Sequence, residues 1–196
     1  MYYKDMETNY TKKQNYPFVS QNTVPEKVDY IETVSYLHIN SSDRNVTAYP
    51  SVNSYKIDTL FKNIKNIRSI ELIAGSIPNV NSVLLQPYLI LKIDGLNHIT
   101  FSNKNINSGF AMMYLQNTSG AFIQPELGVL QRNVLNFKTP LASLSNINLQ
   151  ILKPDGTLFS FGESAGDVSV TYSTSFTLRI ISIEKSRKDL NNRVIF

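Results

Sequence analysis

The chain contains no cysteine and no tryptophan. Without thiols it forms neither disulfides nor thiolate metal sites, which removes the disulfide-stapled scaffold and the cysteine-type zinc finger from consideration. The missing Cys and Trp also argue against an immunoglobulin sandwich, whose core is commonly built on that pair. Histidine is scarce: His38 and His98 are the only two. Neither sits in an H-x-x-x-H or H-x-E arrangement that would hold zinc. No apolar run approaches the roughly 20 residues needed to cross a bilayer. The opening residues Met1 to Asn9 lack the apolar centre of a signal peptide, so nothing there directs the chain out of a cell.

The usual signatures of catalysis and nucleotide binding are missing as well. There is no G-x-S-x-G, no P-loop, no G-x-G-x-x-G and no D-x-D-x-D-G calcium loop. The Asp94-Gly95 and Asp155-Gly156 pairs read as turns rather than ligands. The expectation is a protein that is not an enzyme, with no catalytic residue, no metal and no cofactor. No small-molecule substrate is expected either.

What remains is a chain of 196 residues, 42% of them apolar, enough for one good core. Its net charge of +4 is modest, and the positive residues are scattered apart from Lys12-Lys13 and the C-terminal Lys185, Arg187, Lys188 and Arg193. These read as a solvated tail in preference to a nucleic-acid contact.

Strand patterning dominates. Ile147, Leu149 and Ile151 alternate with Asn146, Asn148 and Gln150, as a strand with one buried face requires. Pro154-Asp155-Gly156 then turns the chain, and Leu158, Phe159 and Phe161 lead it back. Further strands are expected over 33–39, 54–61, 67–77, 87–93, 134–137, 157–161 and within 168–184, with 98–101 continuing the fourth across Asp94-Gly95. In the third, Ile70, Leu72 and Ala74 share a face. The nearly unbroken apolar run Tyr88 to Ile93 points to a strand covered on both sides. Residues 109–116 fit a strand or one helical turn. Near Ile180-Ile181 the apolar phase switches faces, which a one-residue bulge or a change of burial would explain. Eight to ten short strands without a long helix predict an all-β sandwich or barrel, at a size that suits a jelly roll of two antiparallel sheets.

Residues 1–31 read as an N-terminal arm and 32–196 as the single domain. The arm is polar and carries Pro17 and Pro25, yet Tyr10, Tyr16 and Phe18 give it aromatic anchors. A frayed terminus and an arm docking on a neighbour are equal readings. Ser41-Ser42-Asp43-Arg44-Asn45 also has two. Asp43 and Arg44 form an intersubunit or arm-locking contact, or an internal loop staple.

Four segments, taken in order, resemble the single jelly-roll penton and minor capsid proteins of large icosahedral double-stranded DNA viruses. They are Ser42-Asp43-Arg44-Asn45 with Tyr49 to Tyr55; Ile67 to Leu72 leading to Ile77-Pro78-Asn79; Pro87 to Ile93; and Pro140 to Leu144 through Lys153 to Gly162. Phe110 to Leu115 fits a further element, and the resemblance spans residues 42 to 162. It implies a single jelly roll and a structural role. Five copies would form a homopentamer at a five-fold vertex of the capsid, closing the hole between major capsid trimers. The implied partners are further copies of the chain, the major capsid protein and other minor capsid proteins, and the implied location is the virion, assembled in the host cytoplasm. The alternatives are a minor capsid or cement protein elsewhere in the shell and, from a different class, a carbohydrate-binding jelly roll. The last would work through exposed Tyr and amide side chains.

Overall fold

The computed structural model describes residues 30–58, 63–116, 119–127 and 133–186. The expected arm over 1–31 therefore lies outside the described residues except for Tyr30 and Ile31, which already belong to the first strand. Tyr10, Tyr16 and Phe18 lie outside them too, as do Arg187, Lys188 and Arg193.

The described chain is all-β. Its strands are β1 Tyr30–Asn40, β2 Ser54–Ile57, β3 Ile64–Pro78, β4 Tyr88–Ile93, β5 Ala111–Tyr114, β6 Phe122–Ile123, β7 Val134–Leu144, β8 Ile147–Leu152 and β9 Ser175–Lys185. Three single turns of 3-10 helix, at Ser41–Asp43, Val83–Leu85 and Val170–Tyr172, are the helical elements among the described residues. One sheet runs β1-β9-β3, with β7 and the two-residue β6 both pairing with β3; the other runs β2-β8-β4-β5. Every pairing is antiparallel. Apart from β6, the pairing is nested: β1 with β9, β2 with β8, β3 with β7, β4 with β5, falling alternately in the two sheets.

The inner faces of the two sheets share one core, so the architecture is a β-sandwich. Ile39, Ile70, Leu72, Phe176, Leu178 and Ile180 from the five-stranded sheet meet Tyr55, Leu89, Leu91, Met113, Leu149 and Ile151 from the other. In β8 the buried residues are those the alternation predicts, Ile147, Leu149 and Ile151. The turn after it closes with Gly156 at φ 90° and a Gly156 N–H donating to the Lys153 carbonyl.

The return segment differs from expectation. Residues 157–161 form no strand, only a single bridge between Leu152 and Leu158 and a bond from Phe159 N–H to the Ile151 carbonyl. Phe159 and Phe161 are buried as an edge-on pair with ring centroids 4.9 Å apart. Their apolar pattern is spent on packing rather than on a ladder. Likewise 98–101 contributes one bridge, Ile99 to Gly109, and not a continued strand. Residues 111–114 are a strand, not a helical turn. β7 runs seven residues past the expected 134–137, to Leu144 and through Pro140, a residue tolerated because β7 is an edge strand.

β4 is covered on both sides, as its apolar run requires. Leu89 and Leu91 face the core, while Ile90 packs outward with Ile106 and Leu152, flanked by Tyr88 and Phe101. The long β4–β5 connection thus folds back over the outer face of its own sheet.

The phase switch in the last strand is a change of burial. β9 pairs with β1 without interruption from Lys185 opposite Tyr30 to Ser175 opposite Asn40. Ser182 keeps the inward position, and Ile181 and Ile183 lie half-buried on the outer face. The irregularities sit in β3, where the register against β9 shifts between Ile67 and Ser69 and again between Leu72 and Ala74. The second shift corrects one expectation. Ile70 and Leu72 are buried, but an extra residue at Ile73 turns Ala74 out to the surface.

Candidate functional site

At one end of the sandwich the β1–β2 connection meets the β8–β9 connection, and Arg44 joins them. The Asn40 side chain accepts from Ser42 N–H at 2.9 Å, starting the short 3-10 turn that delivers Arg44 inward. Only 5% of Arg44 is exposed. Its Nε donates to the Tyr49 carbonyl at 2.9 Å and its Nη1 to the Ser41 carbonyl at 2.7 Å. Nη2 donates to the carbonyls of Pro50 at 3.1 Å and Asp167 at 2.6 Å. A planar guanidinium presents five donors in a fixed fork, which suits several carbonyls at once. Of the two readings, Arg44 makes the contacts of the internal staple; four of its five donors are spent within the chain. Asp43, one residue earlier, is exposed. The structure does not bring the two side chains into one site.

Further bonds sew the same loops. Glu163 Oε1 accepts from Val52 N–H at 3.1 Å, and Gly166 N–H donates to the Pro50 carbonyl at 3.0 Å. Ser41 and Thr174 exchange two bonds, Ser41 N–H to the Thr174 carbonyl and Thr174 N–H to Ser41 Oγ, each 2.9 Å. Beneath them the Tyr55 hydroxyl and Thr174 Oγ1 are buried without a hydrogen bond. Burial pushes the Tyr55 phenol well above its ordinary range, and the Arg44 charge only partly opposes it.

Two surfaces carry exposed apolar groups. On loops at the Arg44 end, Leu85 is 80% exposed, Val168 62% and Val170 72%. On the outer face of the five-stranded sheet, Tyr30, Val34 and Tyr36 project from β1 and Ile73 from the β3 bulge. Two ion pairs cross strands on this sheet: Arg179 Nη1 lies 3.0 Å from Glu71 Oε2, and Arg68 bonds Glu32.

Where this face approaches the loops it is hollowed into a cleft of about 420 Å³. Its floor is Ala74, Ser76, Ser175 and Thr177 on β3 and β9, with His38 on one side and Gln124, Pro125 and Leu127 on the other. His38 Nδ1 is 3.0 Å from Thr177 Oγ1, which fixes the imidazole. The strand pattern puts His38 in the first strand, but nothing in the sequence marks this cleft. It draws on four stretches of chain, and no local spacing links them.

Among the described residues no three His, Asp or Glu side chains gather as a metal site, and His98 lies away from His38, on the β4–β5 connection. No helix among the described residues is long and apolar enough to cross a membrane. Comparison with protein-family models and with curated proteins finds no match for this chain.

Proposed function

We propose that the chain is a structural capsid protein of an icosahedral double-stranded DNA virus, the penton subunit that forms homopentamers at five-fold vertices. The observation that carries this reading is the nested, alternating strand order, β1-β9-β3-β7 against β2-β8-β4-β5. That order supports a jelly roll, an architecture shared by viral capsid and lectin domains. It is also the fold implied by the resemblance of residues 42 to 162 to penton and minor capsid proteins.

Ring closure adds support. A cyclic assembly uses two different patches on each subunit, repeated by rotation. This chain exposes apolar groups on two separate surfaces, Leu85, Val168 and Val170 on the loops and Tyr30 and Val34 along β1 on the outer sheet face. A protein of this kind works through shape and contact, with the major capsid protein and other minor capsid proteins as neighbours in the virion.

Light scattering coupled to size exclusion tests the reading. A particle mass five times the 22.2 kDa of one chain is the expected result. A stable trimer would assign the chain to another position in the shell. A monomer that stays monomeric when mixed with the major capsid protein would overturn the vertex assignment.

A further inference from the structure

We infer that the cleft beside β1 is a binding site for a neutral carbohydrate, a function distinct from the shell contacts proposed above. Its volume of about 420 Å³ falls in the lower part of the range that holds small ligands. Among the described residues the lining contains no Lys, Arg, Asp or Glu, so no permanent charge there favours a phosphate, a carboxylate or an ammonium over a neutral ligand. On the sheet beside it Arg179 and Glu71 pair at 3.0 Å, and Glu126, between the lining residues Pro125 and Leu127, accepts from the Gln116 side chain.

What the lining does offer is a set of hydroxyl, amide and imidazole groups: Ser76, Ser175, Thr177, Gln124 and His38. Each can both donate and accept. A ligand rich in hydroxyls pairs with such groups in either sense. The β3 bulge builds the floor by turning Ala74 outward, opposite Thr177.

The second requirement for a sugar is a flat apolar surface for the C–H face of its ring. Tyr36 supplies it. The ring stands on the same face of β1 as His38, two residues away, about 7 Å along the strand. It is 67% exposed although it sits mid-strand opposite Arg179. A tyrosine in that position contributes large contact area at low rotamer cost.

Saturation-transfer NMR of the full chain, with the methyl glycosides of glucose, galactose, mannose and N-acetylglucosamine as probes, tests this directly. Saturable transfer to the ring C–H protons of at least one glycoside is expected. Tyr36→Ala should weaken it roughly tenfold, the upper range for one aromatic contact, while Tyr36→Phe keeps the ring and the binding. Ser76→Ala should weaken it as well, with an unchanged melting temperature as the control for folding. The inference fails if none of the four glycosides shows saturable transfer. It fails equally if transfer survives both Tyr36→Ala and Ser76→Ala undiminished.

Discussion

Arg44 and Asp167 are 123 residues apart in the chain, and Nη2 of the first donates to the carbonyl of the second at 2.6 Å. That bond, with three others from the same guanidinium, holds the β1–β2 and β8–β9 connections as one unit. The cation is buried, and carbonyl dipoles rather than a carboxylate stabilise it. Removing it leaves acceptors without donors, at a cost of about 1–3 kcal/mol for each one that stays dry. Arg44→Met is expected to lower stability by about 3 kcal/mol, read as a fall of roughly 10 °C in melting temperature for a domain of this size. Arg44→Lys should recover less than half, because a point ammonium cannot reproduce the fork. Hydrogen exchange should show the faster opening concentrated at 41–53 and 163–174.

Tyr55 gives a prediction of opposite sign. Its hydroxyl is buried and makes no hydrogen bond, so Tyr55→Phe should be neutral or stabilising by up to about 1 kcal/mol in urea unfolding. The phenol also links stability to alkaline pH. Its folded pKa is raised above the unfolded value of about 10. The neutral form is thus favoured by folding, and its contribution is complete below pH 10. Above that, unfolded chains ionise at Tyr55 and folded ones resist, so stability falls as pH rises. Tyr55→Phe should make that fall shallower by one proton's worth of slope; identical slopes would contradict it.

The β4–β5 connection leaves no room at Gly109. A Cβ there would lie 2.8 Å from Ile90 Cγ2 and 3.0 Å from Phe101 Cε2. Gly109→Ala is expected to cost about 1–3 kcal/mol, the usual range for overpacking, and to loosen Phe101 and Ile106 from the outer face of β4. Gly95→Ala is the comparison. Its φ of 79° is strained for alanine, but nothing lies within 4 Å of the added carbon, so the loss should be about 1–2 kcal/mol with the connection still packed. Urea midpoints and protection of the Ile90 amide distinguish the two.

If the two exposed apolar surfaces meet in a ring, a charge on either should dissolve it. Val34→Glu and Val170→Glu are each expected to reduce the assembled mass to that of one chain while the far-ultraviolet spectrum stays that of a sheet protein. A pentamer that persists in both variants would place the contacts elsewhere.

The sequence was most legible where burial follows a single period. In β8 the alternation of Ile147, Leu149 and Ile151 is the core face itself, and in β4 the lack of alternation correctly indicates cover on both sides. It was least legible where one residue changes the register. Nothing in the run Leu72-Ile73-Ala74 marks Ile73 as extra, because a bulge is decided by the partner strand, here β9. Beyond the expected 134–137, β7 continues through Pro140, which its edge position allows. At Phe159 and Phe161 apolar spacing signalled burial but not pairing. For Arg44 the local sequence allowed two roles, since its fourth acceptor, Asp167, lies far down the chain. The cleft had no local signal at all: its walls come together only after the sandwich closes.

The nested pairing also fixes an order of events. β1 has a single partner among the described strands, β9, and β9 lies between β1 and β3. The five-stranded sheet therefore cannot form until the chain has been made almost to residue 185. Until then β1 is an eleven-residue strand with both edges open, in the state most prone to pairing with another nascent chain. Ladders that must wait for contacts so distant in sequence form slowly. The interval between synthesis of β1 and arrival of β9 is when its edges are most open to mispairing.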